Sequence, residues 1–239
     1  MHISFNELES NYKAAFLAVG LSLGEAVDAT RMLVWLDAMG ASANLRVPSS
    51  LSRLESVLTP RPTIRRYDKS AVTLDCGGAS ILAIGSATID IGLAEHKIKG
   101  INRLNIVNVC DIEFTAGLAR ILLVRDCNTI LSWSDYAGSS DNKLYLQDKK
   151  VQGNIPILNG YTEEIFFGDV EVDFMQKPSQ EGEWSNSEQY EVSSIGPYFD
   201  GITVDPVRWR LVEFYAKKML IPESEKSRIE GAGIGADED

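Results

Sequence analysis

Ser4-Phe-Asn-Glu-Leu-Glu-Ser-Asn-Tyr-Lys-Ala-Ala-Phe-Leu-Ala-Val-Gly-Leu-Ser-Leu-Gly-Glu25 carries two helix starts and one helix stop. Ser4 and Glu7 have the spacing of a capping box, with the serine taking a first-turn N–H and the glutamate reaching back. Phe5, Leu8, Tyr12, Ala15, Phe16 and Val19 recur at helical intervals, and Gly20 supplies a left-handed stop. Ser22 and Glu25 repeat the box. Ala26, Ala29, Leu33 and Leu36 then line a second apolar face that ends at Gly40. The short link predicts an antiparallel helical hairpin over 5–38.

Working outward, a third helix is expected over 50–58, ended by Thr59-Pro-Arg-Pro62. Residues 71–75 read as a strand, and 79–95 as a helix with Ile81, Ile84, Thr88 and Ile91 on one face. Residues 104–109 alternate as a strand, 112–124 read as a buried helix, and 128–133 as a second strand, so one crossover unit is expected. After Tyr136 the composition shifts to short strand candidates at 143–147, 155–158, 164–167 and 170–175, a meander pattern. Residues 177–188 read as an exposed polar loop and 190–195 as a returning strand. Asp205-Pro206 is an N-cap followed by proline at the first helical position. Val207, Leu211, Phe214, Tyr215 and Met219 are its expected apolar face, with Ile221-Pro222 as the stop. A short helix over 223–230 follows. The class is α+β: an N-terminal helical hairpin, a central mixed α/β unit, and a strand-rich second half with a C-terminal helix. The expected division is 1–136 and 137–239, with one continuous domain as the alternative.

The 239 residues are long enough for a sizeable core, and 44% hydrophobic with 24% charged is ordinary for a globular chain. A net charge of −11 argues against nucleic-acid or anionic-membrane partners, which want clustered basic surface. Cys76, Cys110 and Cys127 are odd in number and widely spaced, which fits reduced thiols and a cytoplasmic setting rather than disulfides or zinc. No stretch has the character of a membrane span.

The closing stretch, Ser227-Arg-Ile-Glu-Gly-Ala-Gly-Ile-Gly-Ala-Asp-Glu-Asp239, places three glycines on alternate residues between an arginine and acidic side chains. Gly231, Gly233 and Gly235 let a backbone approach another surface closely, and Ser227 and Arg228 offer donors to a carboxylate or phosphate. A frayed end, a packed clasp within or between subunits, and a ligand-facing strap are all compatible with it. Asp90, in an apolar stretch, and Asp237 are the candidate catalytic carboxylates, with Asp90 paired to Arg228 in the functional reading and a structural salt bridge as the alternative. Asp75, before Gly77-Gly78 at a strand end, is a further candidate. Gly77-Gly78 is no dinucleotide fingerprint, because G-x-G-x-x-G is absent. His96 with Cys110 as base and nucleophile has no supporting motif; a helix-end surface role for His96 is the plainer reading. Arg61, Arg65, Arg66 and Lys69 read as a solvated loop, and Trp133 as core or subunit interface. No metal set is indicated, and no cofactor is implied by the residues themselves.

Two resemblances follow from these motifs. The Ser4 start, the Gly85-x-x-x-x-Asp90 element, Trp133 and the glycine-rich end together resemble an uncharacterised bacterial domain-of-unknown-function family. Residues 3–48, with Asp37-x-x-Gly40 and Arg46, are similar to the start of the type-two malate/lactate dehydrogenases. That family carries a catalytic Ser-His-Gly between the glycine and the arginine. Here the segment is Ala41-Ser-Ala-Asn44-Leu45, so the resemblance implies a lost acid/base group. The expectation is an accessory or non-catalytic homo-oligomer whose tail packs in a cleft or subunit interface. The alternative is an enzyme acting on a small carboxylate- or phosphate-bearing metabolite.

Overall fold

The hairpin forms where its caps require. Strand β1 (His2–Ile3) leads into helix α1 (Phe5–Ala18), and Ser4 Oγ accepts the Glu7 N–H at 3.2 Å. Helix α2 (Leu23–Ala38) has the complete reciprocal box: Ser22 Oγ accepts from Glu25 N, and Glu25 Oε2 accepts from Ser22 N at 2.7 Å. Gly20 and Gly40 follow the two helices at φ +96° and +77°, where a side chain would be strained. Helix α3 (Val47–Ser56) starts three residues earlier than its expected 50, because Pro48 has no N–H to lose in a first turn. These observations come from a computed structural model that describes residues 1–57, 59–135, 141–158, 164–175, 189–191 and 201–219.

The fold is α+β, built on one mixed sheet. Strands β2 (Thr63–Tyr67), β3 (Ala71–Asp75), β4 (Arg103–Cys110), β5 (Thr129–Asp135), β6 (Asp141–Gln147), β7 (Lys150–Gly153), β8 (Phe167–Phe174) and β9 (Gln189–Glu191) lie in the order β2-β3-β4-β8-β5-β6-β7-β9. Helix α4 (Ile81–Lys99) carries the chain from β3 to β4, which pair in parallel. A 3₁₀ helix (Ile112–Gly117) and α5 (Leu118–Val124) then lead to β5. The crossover expected between 104–109 and 128–133 is present, but β8 is inserted between its two strands, antiparallel to both. Strands from either side of residue 136 therefore share one sheet. A separate pair joins β1 to β10 (Ile202–Thr203), and the chain then enters helix α6 (Pro206–Lys217).

One sheet face is dry. Val72, Leu74, Leu104, Ile106, Val170, Val172, Leu131, Leu144 and Leu146 all face the helices and are buried. Most alternate residues, Ala71 and Gln152 excepted, are only part-covered or exposed, as expected of strands with one solvated face. On that open face Arg103 holds Asp173 at 2.6 Å and Glu171 at 2.9 Å. Helix α1 packs on α2 and α6, and α2 packs on α4 and α5.

Several expectations are corrected. The basic segment 61–69 is not a loop: Thr63–Tyr67 is edge strand β2, with every residue exposed. Its pairing to β3 is made by backbone, so its side chains carry no alternation to read. Residues 155–158 and 164–166 form no strand, and one strand, β8, runs from Phe167 to Phe174. The sequence reading missed β7; Asp148 and Lys149 both take positive φ (51° and 64°), the backbone of a two-residue hairpin turn, without the usual Asn-Gly. The expected features at 177–188, 192–195 and 223–230 lie outside the described residues.

Candidate functional site

Strands β3 and β4 end side by side, where an open sheet with parallel strands most often meets a ligand. The backbone there is irregular. Asn108 and Asp111 have positive φ (59° and 61°), as do Gly77 and Gly78, and the pairing of β4 with β8 shifts between Ile106 and Val109. The Gly78 N–H donates to the Asn108 carbonyl at 2.7 Å and the Cys110 N–H to Ala79 at 2.9 Å, which fixes the two strand ends together.

This backbone turns Asp111 inward, 1% exposed. Its carboxylate accepts the Ser50 hydroxyl at 2.7 Å, the Ser80 hydroxyl, and the Arg53 guanidinium. Ser80 also caps α4, accepting the Leu82 N–H at 3.3 Å, so the Asp111 charge sits at a helix N-terminus as well as beside an arginine. A buried ion pair needs such extra donors, because desolvation otherwise outweighs the Coulombic gain. Glu113 lies next door. Burial pushes its carboxyl up, against the pull of its own N–H, Arg46 and Arg53. The Arg46 guanidinium stands 5.5 Å from the Phe166 ring centroid. Burial pushes the Cys110 thiol up, with Arg53 opposing, and pushes Cys76 up to about 12, so neither is a ready thiolate at neutral pH.

Arg53 joins this cluster to the surface. It lines a groove of about 610 Å³ between α3 and α6, with Ser49, Ser52, Ser56 and Tyr215 beside it and Val57, Ile165 and Leu211 at the rim. Its Nε is buried without an acceptor among the described residues. The arrangement can hold a small anion: a fixed guanidinium, several hydroxyls and an apolar lip. Among the described residues no three His, Cys, Asp or Glu side chains converge to hold a metal.

The candidate residues read from sequence that the structure describes do not line this groove. Asp90 lies on α4 about 15 Å along the axis from Ser80, at ~1.5 Å per residue. It grips Arg125 through Nε at 2.5 Å and Nη2 at 2.9 Å, and Arg125 also reaches Ser86. This ties α4 to the end of α5, the structural reading of Asp90. Asp75 accepts the Gly77 N–H at 3.0 Å, which holds its carboxyl below the usual range, helped by Asn108 and Arg65. His96 and Cys110 do not meet: the His96 ring bonds the Ile101 carbonyl at 2.6 Å, before β4 begins, whereas Cys110 ends that strand. Trp133 is buried, as expected for a core residue. Ser227, Arg228, Gly231, Gly233, Gly235 and Asp237 lie outside the described residues. The sequence reading passed over Asp111, Arg53, Ser50 and Ser80. Only Asp111, polar between the apolar strand ending at Cys110 and the apolar helix beginning at Ile112, left a local signal.

Asp37, one of the residues shared with the type-two dehydrogenase start, is a buried strut. It accepts the Tyr12 hydroxyl at 2.7 Å and both the N–H and side-chain amide of Asn44, at 3.0 and 2.9 Å. Burial raises its carboxyl to about 6, with those bonds pulling the other way.

The fold is similar to that of known dehydrogenases. A provisionally assigned malate/lactate dehydrogenase from E. coli superposes with a TM-score of 0.60 at 12% identity, over 93% of this chain and 96% of that one. The sulfolactate dehydrogenase from Methanocaldococcus jannaschii gives 0.55 at 10% identity, over 92% and 97%. At these identities the likeness is one of fold. No curated protein matches the sequence. Over residues 3–106, which include the Ser4 start and the 85–90 element but stop short of Trp133 and the glycine-rich end, the chain matches the family described as Protein of unknown function (DUF3726).

Proposed function

We propose that this chain binds a small carboxylate in the groove between α3 and α6, and does so without turning it over. The observation that carries the reading is Arg53: a guanidinium held by buried Asp111, whose carboxylate Ser50 and Ser80 fix in turn, on the wall of a serine-lined groove. A pre-oriented planar fork spends little ordering entropy on gripping a carboxylate. The proteins of similar fold are named for malate, lactate and sulfolactate, all small hydroxy-carboxylates. Support for the non-catalytic half comes from the acid/base inventory. The chain has two histidines; His96 is tied to Ile101 at the far end of α4, and His2 lies on β1. Asn44, in the segment that resembles the dehydrogenases' catalytic loop, is spent on Asp37. A nicotinamide dinucleotide does not fit at the α4 N-terminus, because the Asp111 carboxylate stands where its pyrophosphate would need amide donors.

The proposal extends to residues 220–239. They continue from α6, whose Tyr215 and Leu211 line the groove, so Ser227, Arg228, Gly231, Gly233 and Gly235 are within chain reach of it, at ~3.3 Å per residue. In this reading they cover the bound carboxylate. The test is titration calorimetry of the full chain with malate, lactate and sulfolactate, alongside a chain ending at Met219. Saturable binding that Arg53→Gln abolishes and the shorter chain weakens is expected. Because Arg53→Gln also strands the Asp111 charge, Ser52→Val on the groove wall is the second variant. Turnover in the presence of a nicotinamide cofactor would overturn the non-catalytic half, and absence of saturable binding would overturn the carboxylate half.

A second reading, self-association, rests on a different observation. Val207 and Phe214 are 66% and 58% exposed on α6, with Leu211 at 40%. A stripe of large apolar side chains in water favours a partner surface. Sedimentation of the intact chain and of Phe214→Glu tests it; a monomer in both would remove it.

A further inference from the structure

A second pocket, of about 240 Å³, lies between α1, α2 and α5, away from the Arg53 groove. Its wall includes Asn6 and Glu9 from α1, Arg31 and Trp35 from α2, and Arg120 from α5. Three features of these residues are unresolved by the fold itself. Trp35 is 1% exposed, and its indole Nε1 is buried with no hydrogen-bond acceptor among the described residues. A buried donor left unmade is costly, and Trp N–H groups normally find an acceptor when buried. Arg120 is half-buried and forms no ion pair among the described residues. Among the described residues Arg31 has only a long, exposed contact of 3.4 Å, to Asp28 one turn away on the same helix. Such a pair holds its partner weakly. Against the two guanidinium groups the wall offers one carboxylate, Glu9, on an exposed position of α1.

We propose that this pocket is a binding site for a small oxyanion, a carboxylate or a phosphate group, held between Arg120 and Arg31. The chemistry is complementary on each count. The guanidinium planes present N–H pairs spaced for trigonal or tetrahedral oxygens. The volume admits a phosphate or a short dicarboxylate and excludes a nucleotide. The site is independent of the groove proposal, since it shares no residue with it.

The test uses the full chain at low ionic strength, titrated separately with inorganic phosphate and with succinate, followed by calorimetry and tryptophan fluorescence. Saturable binding of either is expected, and which one binds names the source of the oxyanion. Arg120→Gln is expected to weaken binding by about tenfold or more, the loss of one charge-assisted pair. Trp35→Phe keeps the ring packed and is expected to remove the fluorescence response. Glu9→Gln is expected to tighten binding, because it removes the pocket's carboxylate. No saturable binding of either anion would overturn the proposal. So would binding that survives Arg120→Gln but not Arg53→Gln, since that binding belongs to the groove.

Discussion

Helices α2 and α6 begin with equally clear signals and end in different relations to the core. Ser22 and Glu25 start α2, and Asp205 with Pro206 starts α6, its carboxylate accepting the Val207 and Arg208 N–H groups at 3.0 and 2.9 Å. In α2 the stripe expected from spacing is the buried one: Ala26, Ala29, Leu33 and Leu36 are all at or below 1% exposure. In α6 the expected stripe is mostly outside. Tyr215 is buried, but Val207, Leu211, Phe214 and Met219 are exposed, and Trp209, Val212 and Ala216 take the core side. Both α6 sets obey helical spacing. The choice between them is made by α1, where Tyr12 meets Trp209 edge-on with ring centroids 5.8 Å apart. Caps are local and can be read from a few residues; a helix apolar on more than one side leaves its inward face to whatever it packs against.

This contrast can be broken most directly at α6. Trp209→Ala is expected to cost about 3–5 kcal/mol, as for other large-to-small changes at a fully buried aromatic. Phe214→Ala, five residues on and 58% exposed, is expected to stay within about 0.5 kcal/mol. Urea unfolding of both variants measures this, and equal losses would mean that the outer stripe of α6 is covered in solution.

The next effect sharpens the α2 side. Asp37 near the end of α2 has its carboxyl raised from 3.8 to about 6, so the folded chain binds a proton more tightly than the unfolded chain does. Stability contributed by that proton is present below pH ~4 and falls as pH rises toward ~6, by roughly 3 kcal/mol in total. Asp37→Asn keeps the Asn44 bonds on its oxygen and is expected to flatten this slope. Stability of the two chains measured across that range by chemical denaturation checks the sign; a wild-type curve that rises with pH there would refute it.

The smallest effect compares the two boxes of the hairpin. The double change Ser22→Ala with Glu25→Ala removes the reciprocal pair and is expected to cost about 1 kcal/mol, whereas Ser4→Ala removes one bond and is expected to cost nearer ~0.5 kcal/mol. Thermal melts of the two variants separate a full box from half of one.

The legible parts of this molecule are those whose physics is short-range. The hairpin, the 71–75 strand and the Asp205-Pro206 start each rest on contacts within a few residues. Strand β2 was hidden because an exposed edge needs only backbone partners, and β7 because Asp148-Lys149 does the work of a glycine turn. The candidate site was hidden more deeply. Arg53, Ser50, Ser80 and Asp111 are spread over some sixty positions, and each is unremarkable in its own neighbourhood. Asp90 drew attention as a carboxylate in an apolar run, yet Arg125 answers it completely at the surface.

By itself the sequence determined where the two hairpin helices start and stop, where α6 starts, the α+β class, and the one-faced alternation of the central strands, because capping geometry and the two-residue pleat act locally. Only the tertiary structure decided that β8 lies between β4 and β5, that α6 turns Trp209 rather than Phe214 inward, and that Asp111 is neutralised by Arg53. Those outcomes depend on which distant surfaces exclude water from one another, and no local spacing encodes that.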